Sequence, residues 1–382
     1  MRKITYIHQH PDWPNFSWNH EKLAPMLAHV RHRQGRLIGR MEALGFGRQS
    51  EAVLATLTQD VLKSSEIEGE MLNPDQVRSS IARRLGIDIA GAIPADRAVE
   101  GVVEMMLDAT QRFADPLTQA RLFGWHAALF PTGYGGIYPI RVGAWRDDAR
   151  GAMQVISGPI SRERVHFEAP AAKRLQREMD MFLAWVNAAD NAKGIRSSPV
   201  IDPVLKAAVA HLWFVTIHPF DDGNGRIARA IADWALARSE GSPQRFYSMS
   251  AQIRAERSAY YDMLERTQKS SLDITDWLTW FLACLDRAIS ATETTLSAVF
   301  RKAAFWDKHA IGEGGTINLR QQKMLNKLFD GFEGKLTTTK WAMIAKCSQD
   351  TAQRDIQALI DQGILVKGAA GGRSTSYSLA DF

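Results

Sequence analysis

The sequence predicts a mainly α-helical protein with a small β-hairpin and a C-terminal winged helix-turn-helix domain. Apolar residues recur at helical spacing through most of the 382 residues, whereas strand-like runs are short and bounded by Gly and Pro. A glycine-rich stretch at 311–315 is typical of a linker, and the pattern changes after it. The length and a hydrophobic content of 45% predict two or three domains with ordinary cores.

Composition favours a soluble protein of the cytoplasm. The formal net charge of +5 permits a nucleic-acid surface but does not require one. Cys284 and Cys347 lie far apart without disulfide or metal spacing, which suits a reducing compartment. The N-terminus lacks the apolar core of a secretory signal, and the most apolar run, Trp277–Leu285, is too short to cross a bilayer. We therefore expect no membrane contact.

The first elements in order are an aromatic arm and two helices. Residues 1–20 carry three histidines, but no Cys or carboxylate completes a metal site, so a packed arm is favoured. A helix is predicted over 21–45, and we expect its basic face to lie in solvent (Arg31, Arg33, Arg36 and Arg40). The next helix begins near Ser50 and ends at Gly69, a typical C-terminal stop. Ser64 and Glu68, four residues apart in its last turn, share a face.

Further helices follow between residues 96 and 310. They are predicted over 99–113, 118–129, 171–187 and 251–268, with one or two more over 272–306. Between the second and third of these, Met153–Gly158 is a short β-like run before Pro159. This run predicts a hairpin strand.

The segment His218–Arg229, HPFDDGNGRIAR, is predicted to be a loop between two core helices. Asp202 and Pro203 are a helix-start signal, and the apolar run that they open ends at Ile217. A second helix is predicted over 226–238, closing near Gly241. The Gly-Asn-Gly turn therefore lies at a helix N-terminus.

That placement predicts phosphoryl or nucleotidyl transfer. A helix N-terminus receives anions well, and glycines let a phosphate approach the backbone closely. Arg226 and Arg229, three residues apart, can bind further phosphate oxygens, and Asp222 is a suitable Mg²⁺ ligand. His218, with an ordinary pKa near neutrality, is the natural base for an attacking hydroxyl. The alternative is a His-Pro turn followed by a solvated, Arg-rich helix.

HPFDDGNGRIAR resembles the signature of the Fic family, His-x-Phe-x-(Asp/Glu)-Gly-Asn-Gly-Arg-x-x-Arg, at every specified position. The resemblance implies a Fic helical bundle that transfers AMP from ATP to a hydroxyl side chain (Tyr, Thr or Ser) of a target protein. It implies that His218 deprotonates the hydroxyl and that Asp222 holds Mg²⁺. It assigns ATP binding to the rest of the motif: Gly223, Asn224, Gly225 and Arg226 for the α- and β-phosphates, and Arg229 for the γ-phosphate.

The resemblance extends to regulation and to the nucleotide pocket. Ser64–Gly69 fits the inhibitory pattern (Ser/Thr)-x-x-x-Glu-(Gly/Asn), which implies that Glu68 pairs with Arg229 and denies it to the γ-phosphate. A flap near the nucleotide, clamping the target by strand addition, maps to Val155, Ile156, Ser157 and Gly158. An ordinary hairpin packed on the core is the alternative. Tyr261 maps to the adenine pocket, although a tyrosine on an apolar helix face is often a core residue.

Three domains are predicted: an N-terminal helical region at 1–95, with the inhibitory helix at about 50–69; a Fic catalytic domain at 96–310, which the resemblance implies; and a winged helix at 316–382, which the pattern of helices and strands predicts. In the last, helices are predicted over 321–329, 338–345 and 349–362, and strands over 364–367 and 375–379. Arg354, Lys367 and Arg373 could meet DNA phosphates, but Asp350, Asp355 and Asp361 share the recognition helix. Protein docking or dimer formation is therefore the alternative to DNA binding.

Several functions stay open at this point. The leading hypothesis is an autoinhibited protein adenylyltransferase that uses Mg²⁺ and ATP, and family analogy makes a homodimer plausible. A DNA-binding regulator with a nucleotide-sensing core is the second, although such a sensor need not retain a base. Transfer of UMP or phosphate, or removal of AMP with Glu68 orienting water, are further alternatives.

Overall fold

The computed structural model describes residues 5–43, 46–89, 92–158, 162–188, 201–309, 317–329, 332, 334–368 and 375–380. Over these ranges the protein is mainly α-helical, with three two-stranded antiparallel hairpins, which confirms the predicted fold class. The chain divides into two compact units, Met1–Thr292 and Glu293–Phe382. The predicted linker at 311–315 lies outside the described residues. Among the helices that the structure describes, none is long and apolar enough to cross a membrane.

The first unit is built from helices and two hairpins. The helices are α1 (His20–Glu42), α2 (Phe46–Ile67), α3 (Pro74–Leu85), α4 (Arg97–Gln111), α5 (Gln119–Leu129), α6 (Leu175–Asn187), α7 (Pro203–Ile217), α8 (Asn224–Glu240), α9 (Met249–Ala255), α10 (Arg257–Gln268) and α11 (Thr275–Lys308), the last of which runs past the unit boundary. The hairpins are β1 (Tyr134–Gly135) with β2 (Tyr138–Pro139), and β3 (Gln154–Ser157) with β4 (Arg164–Glu168).

Helices α7 and α8 form the centre of this unit. Every residue from 207 to 217 of α7 is buried, which is the pattern of a helix surrounded by core. The Asp202 side chain accepts a hydrogen bond from the Val204 amide, and Pro203 occupies the first turn, so the predicted helix start is confirmed. Helix α8 begins at Asn224, two residues before the predicted start, and the residue after its end, Gly241, adopts a left-handed conformation.

The structure corrects the prediction in two other places. Helix α3 was not predicted, although Asn73 caps its N-terminus, Pro74 opens it and Gly86 closes it. The single helix predicted over 251–268 is two helices, α9 and α10, which are separated at Glu256. No Gly or Pro marks that break. The Glu256 carboxylate accepts two 2.6 Å hydrogen bonds from Arg287 of α11, a tertiary contact that apolar periodicity does not encode.

The N-terminal arm and α1 are bound to the rest of the unit. His8 packs edge-on against Phe167 of β4 and hydrogen-bonds the Glu168 carbonyl at 2.8 Å, as a packed aromatic arm requires. The expectation that the α1 arginines lie in solvent is wrong for two of them. Arg31 pairs with Asp202 at 3.0 Å and Arg33 with Asp286 at 2.8 Å, because α7 and α11 bring these carboxylates against the helix.

The second unit contains α12 (Leu319–Phe329), α13 (Thr338–Ala345), α14 (Gln349–Asp361), β5 (Leu365–Lys367) and β6 (Tyr377–Leu379). The order and positions of these elements follow the prediction closely. Arg354 and Lys367 are exposed, whereas Asp355 is buried and pairs with Arg320, and Arg373 lies outside the described residues. DNA binding by this unit stays a prediction.

Candidate active site

The backbone around His218 is held in an unusual conformation. His218 ends α7 with a φ of 52°, in the left-handed region that residues other than Gly rarely adopt. Arg146, which is buried, stabilises this turn: its Nε donates to the His218 carbonyl at 2.8 Å, and its backbone amide donates to the Pro219 carbonyl at 2.9 Å. Its Nη2 also donates to the Pro170 carbonyl. Arg146 thereby fixes where the His218 ring stands.

The His218 ring is neutral at physiological pH. Burial lowers its pKa to about 4, and the positive charge of Arg146 adds to that shift. Nδ1 lies 3.2 Å from the Val215 carbonyl, which can only accept a hydrogen bond, so Nδ1 carries the proton. Nε2 therefore keeps its lone pair. The sequence predicted an ordinary pKa near neutrality, and that expectation is corrected by the burial of the ring.

The Gly-Asn-Gly turn leads directly into α8. Gly223 has a φ of 77°, and a Cβ there would lie 2.9 Å from the Phe130 ring, so both conformation and space require glycine. The Asn224 carboxamide accepts from the Phe220 amide at 3.0 Å and donates to the Phe220 carbonyl at 2.8 Å. With its side chain occupied in this way, Asn224 closes the loop and leaves the backbone amides of the turn for an anion.

Arg226 and Arg229 follow on the buried face of α8. Their side chains are 4% and 2% exposed, respectively, and the Arg226 guanidinium lies 5.2 Å from the centre of the Phe130 ring. Nε of Arg226 and Nη1 of Arg229 are buried without a hydrogen-bond partner among the described residues. Buried donors are normally satisfied, so these two are available to a ligand with acceptor oxygens.

The end of α2 lies against Arg229. Nη2 of Arg229 donates to the Glu68 carboxylate at 2.8 Å and to the Ser64 carbonyl at 2.8 Å, while Nε donates to the Ser64 hydroxyl at 2.9 Å. A Cβ added to Gly225 would collide with Oε1 of Glu68. The carboxylate of Glu68 thus sits directly above the glycine turn and the arginine.

The charge of Glu68 is set by its surroundings. Burial alone would raise its pKa, but Arg229, Arg226 and Arg257 together hold it below the ordinary value. Arg257 also donates from Nε to the Ile67 carbonyl at 2.8 Å and lies over the Tyr261 ring at 5.1 Å. Glu68 is therefore an anion fixed at the α8 N-terminus.

A cavity of about 890 Å³ opens beside these residues. Its wall includes His218, the turn from Asp221 to Gly225, Tyr261, and the β3 residues Val155, Ile156 and Ser157. Gly158 does not line it and instead turns the chain with a φ of 99°. Arg226 and Arg229 are also absent from the wall, whereas Glu68, which contacts Arg229, lines the cavity.

Asp222 faces this cavity and a second one of about 710 Å³, which shares Met153, Gln154 and Ile156 with it. One of its carboxylate oxygens accepts from the Gly223 amide at 2.6 Å. Over the described ranges, no three His, Cys, Asp or Glu side chains converge in a metal-binding group. A Mg²⁺ ion needs only one or two protein carboxylates when substrate phosphates and water supply the other ligands. Asp222 fits that requirement.

Three residues of this region were not found from the sequence. Arg146 and Arg257 lie far from the glycine turn along the chain and reach it only through tertiary packing. Glu70, two residues beyond Glu68, pairs with Arg226 at 2.6 Å. The sequence does contain a signal for Glu70: an acidic residue just past the glycine that ends the inhibitory helix.

Comparison with known proteins identifies two segments. The model of the Fic/DOC family matches residues 116–236, and a model described as a domain of unknown function (DUF4172) matches residues 6–87. A protein adenylyltransferase Fic of Culex quinquefasciatus is 25% identical over 285 residues, which cover 71% of this chain and 50% of that protein. A uridine 5'-monophosphate transferase of Xanthomonas campestris is 32% identical over 125 residues, covering 32% and 21%.

Among solved structures, a Fic family protein from Desulfovibrio desulfuricans G20 aligns with a TM-score of 0.51 at 17% identity, over 94% of this chain and 95% of that one. This likeness is one of fold. The chain spans about half the length of the curated adenylyltransferases that it matches. The family match at 116–236 contains the whole segment from His218 to Arg229, with its histidine, its glycine turn and its two arginines. Residues 116–236 are therefore the part of this chain that matches the Fic/DOC family.

Proposed function

We propose that this protein transfers AMP from ATP to a hydroxyl side chain of a target protein and that Glu68 inhibits the transfer. The observation that carries the proposal is the neutral His218 ring at the wall of a cavity of nucleotide size, beside a glycine turn at a helix N-terminus. A base and an anion site within one cavity are what nucleotidyl transfer needs. The names of the curated relatives support the same class of reaction.

The chemistry follows from the positions of the residues. The target hydroxyl attacks the α-phosphorus and passes its proton to Nε2 of His218, since Nδ1 already carries one. A bond forms between the hydroxyl oxygen and the α-phosphorus, the bond from phosphorus to the bridging oxygen breaks, and pyrophosphate leaves. The backbone amides from Gly223 to Gly225, with Arg226, would hold the α- and β-phosphates. Arg229 would meet the γ-phosphate, and a Mg²⁺ ion at Asp222 would neutralise charge on the phosphate oxygens.

The β3–β4 hairpin and α10 would complete the site. Val155, Ile156 and Ser157 line the cavity from β3, and the hairpin has free strand edges to which an extended target segment could add. Gly158 would serve by turning the hairpin. Tyr261, which lines the cavity from α10, would pack against the base.

Inhibition follows from competition for Arg229. In the pose that the proposal requires, Arg229 pairs with the γ-phosphate, yet Ser64 and Glu68 already take three of its hydrogen bonds. ATP that enters beside an anionic Glu68 also meets its negative charge. Nucleotide in the cavity would therefore lack its γ-phosphate partner until Glu68 moves away.

The test is labelling of target or self with α-³²P-ATP by wild type, Glu68→Gly, and Glu68→Gly combined with His218→Ala. We expect labelling to rise in Glu68→Gly and to fall by ~10²–10⁴-fold when the base is also removed. Glu51→Gln, which removes an exposed carboxylate from the start of α2, is the matched control. Equal labelling by all variants would exclude the roles of His218 and Glu68.

Other donors belong in the same assay because one relative is named as a uridine 5'-monophosphate transferase. Label from α-³²P-UTP in preference to ATP would indicate transfer of UMP, and label from γ-³²P-ATP would indicate transfer of phosphate. Release of AMP from a modified target, faster in wild type than in Glu68→Gly, would indicate the reverse reaction. A homodimer and DNA binding through 316–382 stay predictions.

A further inference from the structure

We propose that Glu70 is a second inhibitory carboxylate, which withholds Arg226 from the nucleotide as Glu68 withholds Arg229. The two ion pairs, Glu68–Arg229 and Glu70–Arg226, are called the carboxylate clasp here. The proposal rests on the proposed function to the extent that the ligand displaced is a nucleotide phosphate. It also gives the region matched as a domain of unknown function, residues 6–87, a direct role at the active site.

The clasp is positioned by the way α2 ends. The Gly69 amide donates to the Glu66 carbonyl at 3.1 Å, and the Glu70 amide donates to the Ser65 carbonyl at 3.0 Å. With Gly69 at a φ of 88°, these are the paired bonds of a Schellman motif. The motif folds the chain back over the helix end. Glu68 and Glu70, on either side of the glycine, consequently reach the same helix, α8.

The two arginines are spaced to receive them. Arg226 and Arg229 are three residues apart, so their side chains lie on one face of α8. Glu70 Oε2 lies 2.6 Å from Nη1 of Arg226, and Glu68 Oε1 lies 2.8 Å from Nη2 of Arg229. Each carboxylate thus holds one arginine. Both cations that could bind phosphate oxygens beside the glycine turn are paired with carboxylates just beyond the end of α2.

The burial of the Arg226 side chain distinguishes this ion pair from an ordinary surface pair. The Arg226 side chain is only 4% exposed, whereas that of Glu70 is 48% exposed. Nε of Arg226 remains buried without a partner among the described residues, although Glu70 occupies Nη1. A buried guanidinium is costly unless it is well paired, and this one is only partly satisfied. A phosphate beside the glycine turn could use the donors that Glu70 uses now.

The exposure of the two carboxylates predicts a graded clasp. Glu70 is more exposed than Glu68, whose side chain is 30% exposed, so solvent weakens its pairing more. Glu70 would then yield first to an incoming phosphate, and Glu68 would remain as the stronger block. Release of the first arginine admits nucleotide, and release of the second permits the productive pose.

The experiment measures nucleotide affinity by calorimetry, with Mg²⁺ present, for wild type, Glu70→Gln and Glu51→Gln. Glu51 is a matched control because it is 51% exposed and pairs with Arg78 away from the cavity. We expect Glu70→Gln to bind ATP and ADP about two- to five-fold more tightly than wild type, with adenosine unchanged. Glu51→Gln should bind all three as wild type does.

The same series separates this inference from the proposed function. Unchanged ATP and ADP affinity in Glu70→Gln, or an equal gain in Glu51→Gln, would overturn the role of Glu70. No binding of ATP or ADP by any variant would overturn it as well. Tighter ATP and ADP binding without any labelling by Glu68→Gly would leave the clasp standing and reject adenylyl transfer. If the protein transfers AMP and Glu70 is inhibitory, Glu68→Gly combined with Glu70→Gln labels more strongly than Glu68→Gly alone.

Discussion

At the scale of single residues, burial sets the protonation state of His218. A histidine in water is partly protonated near neutrality, but desolvation lowers the pKa of this one to about 4. The Val215 carbonyl selects the tautomer by accepting from Nδ1. The ring is therefore neutral, with its lone pair on Nε2, throughout the physiological range, and the base that we propose is available there at the expense of base strength.

This protonation state predicts the pH dependence of the transfer. In the Glu68→Gly variant, kcat/KM should stay level from about pH 8 to about pH 5 and fall below that, because protonation of Nε2 removes the base only as pH drops through the lowered pKa. The measurement is initial-rate labelling across that range, with circular dichroism at each pH to establish that the protein stays folded. A profile that breaks near 6.5 would contradict the effect of burial on His218.

At the scale of elements, the site depends on how α2 ends against α8. The last turn of α2 contributes Ser64, the next residue after the helix is Glu68, and Arg257 of α10 donates to the Ile67 carbonyl. One turn earlier, buried Asp60 bonds the Ser248 hydroxyl at the start of α9. Several elements therefore fix the helix end, and the left-handed glycine that follows it directs the chain back toward α8.

Substituting that glycine tests the element. Gly69→Ala should raise basal labelling, because an alanine at a φ of 88° is strained by ~1 kcal/mol and loosens the turn that presents Glu68. Gly86→Ala is the control, since Gly86 ends α3 with a φ of 67° and, like Gly69, has nothing within 4 Å of an added Cβ. Both variants should lose similar stability in urea unfolding. Equal basal labelling in the two variants would show that the end of α2 does not control the site.

At the scale of the whole molecule, each unit has its own core. All the residues of the carboxylate clasp, the glycine turn and the cavity lie within Met1–Thr292. The second unit has a separate apolar cluster, in which Trp341, Ile356 and Leu359 are fully buried. A ligand stabilises only the structure that binds it, so we expect nucleotide to act on the first unit.

This division predicts the response to core mutations. Ile356→Ala should cost the second unit ~2–5 kcal/mol through the cavity that it leaves, and should leave ATP affinity unchanged. Scanning calorimetry of the full chain, with and without ATP, measures both effects. Leu57→Ala, an equally buried change in α2, should destabilise the first unit and alter ATP affinity. A loss of ATP affinity in Ile356→Ala would contradict the independence of the nucleotide site.

Local signals account for most of what could be predicted. Asp202 and Pro203 opened α7, and a glycine closed α8, because caps and stops depend on a few neighbouring residues. Helix α3 had the same signals at Asn73 and Gly86 and was nevertheless missed. The break at Glu256 had no such signal, since it accompanies a contact with Arg287, 31 residues further along the chain.

The sequence by itself determined the family segment, the helix that precedes it and the helix that it opens, because those features depend on residues close together in the chain. It also proposed the pairing of Glu68 with Arg229, which the fold places at 2.8 Å. Only the tertiary structure decided the low pKa of His218, the support from Arg146 and the contact of Glu70 with Arg226. Burial and contacts between distant segments exist only once the helices have packed, so no local pattern specifies them.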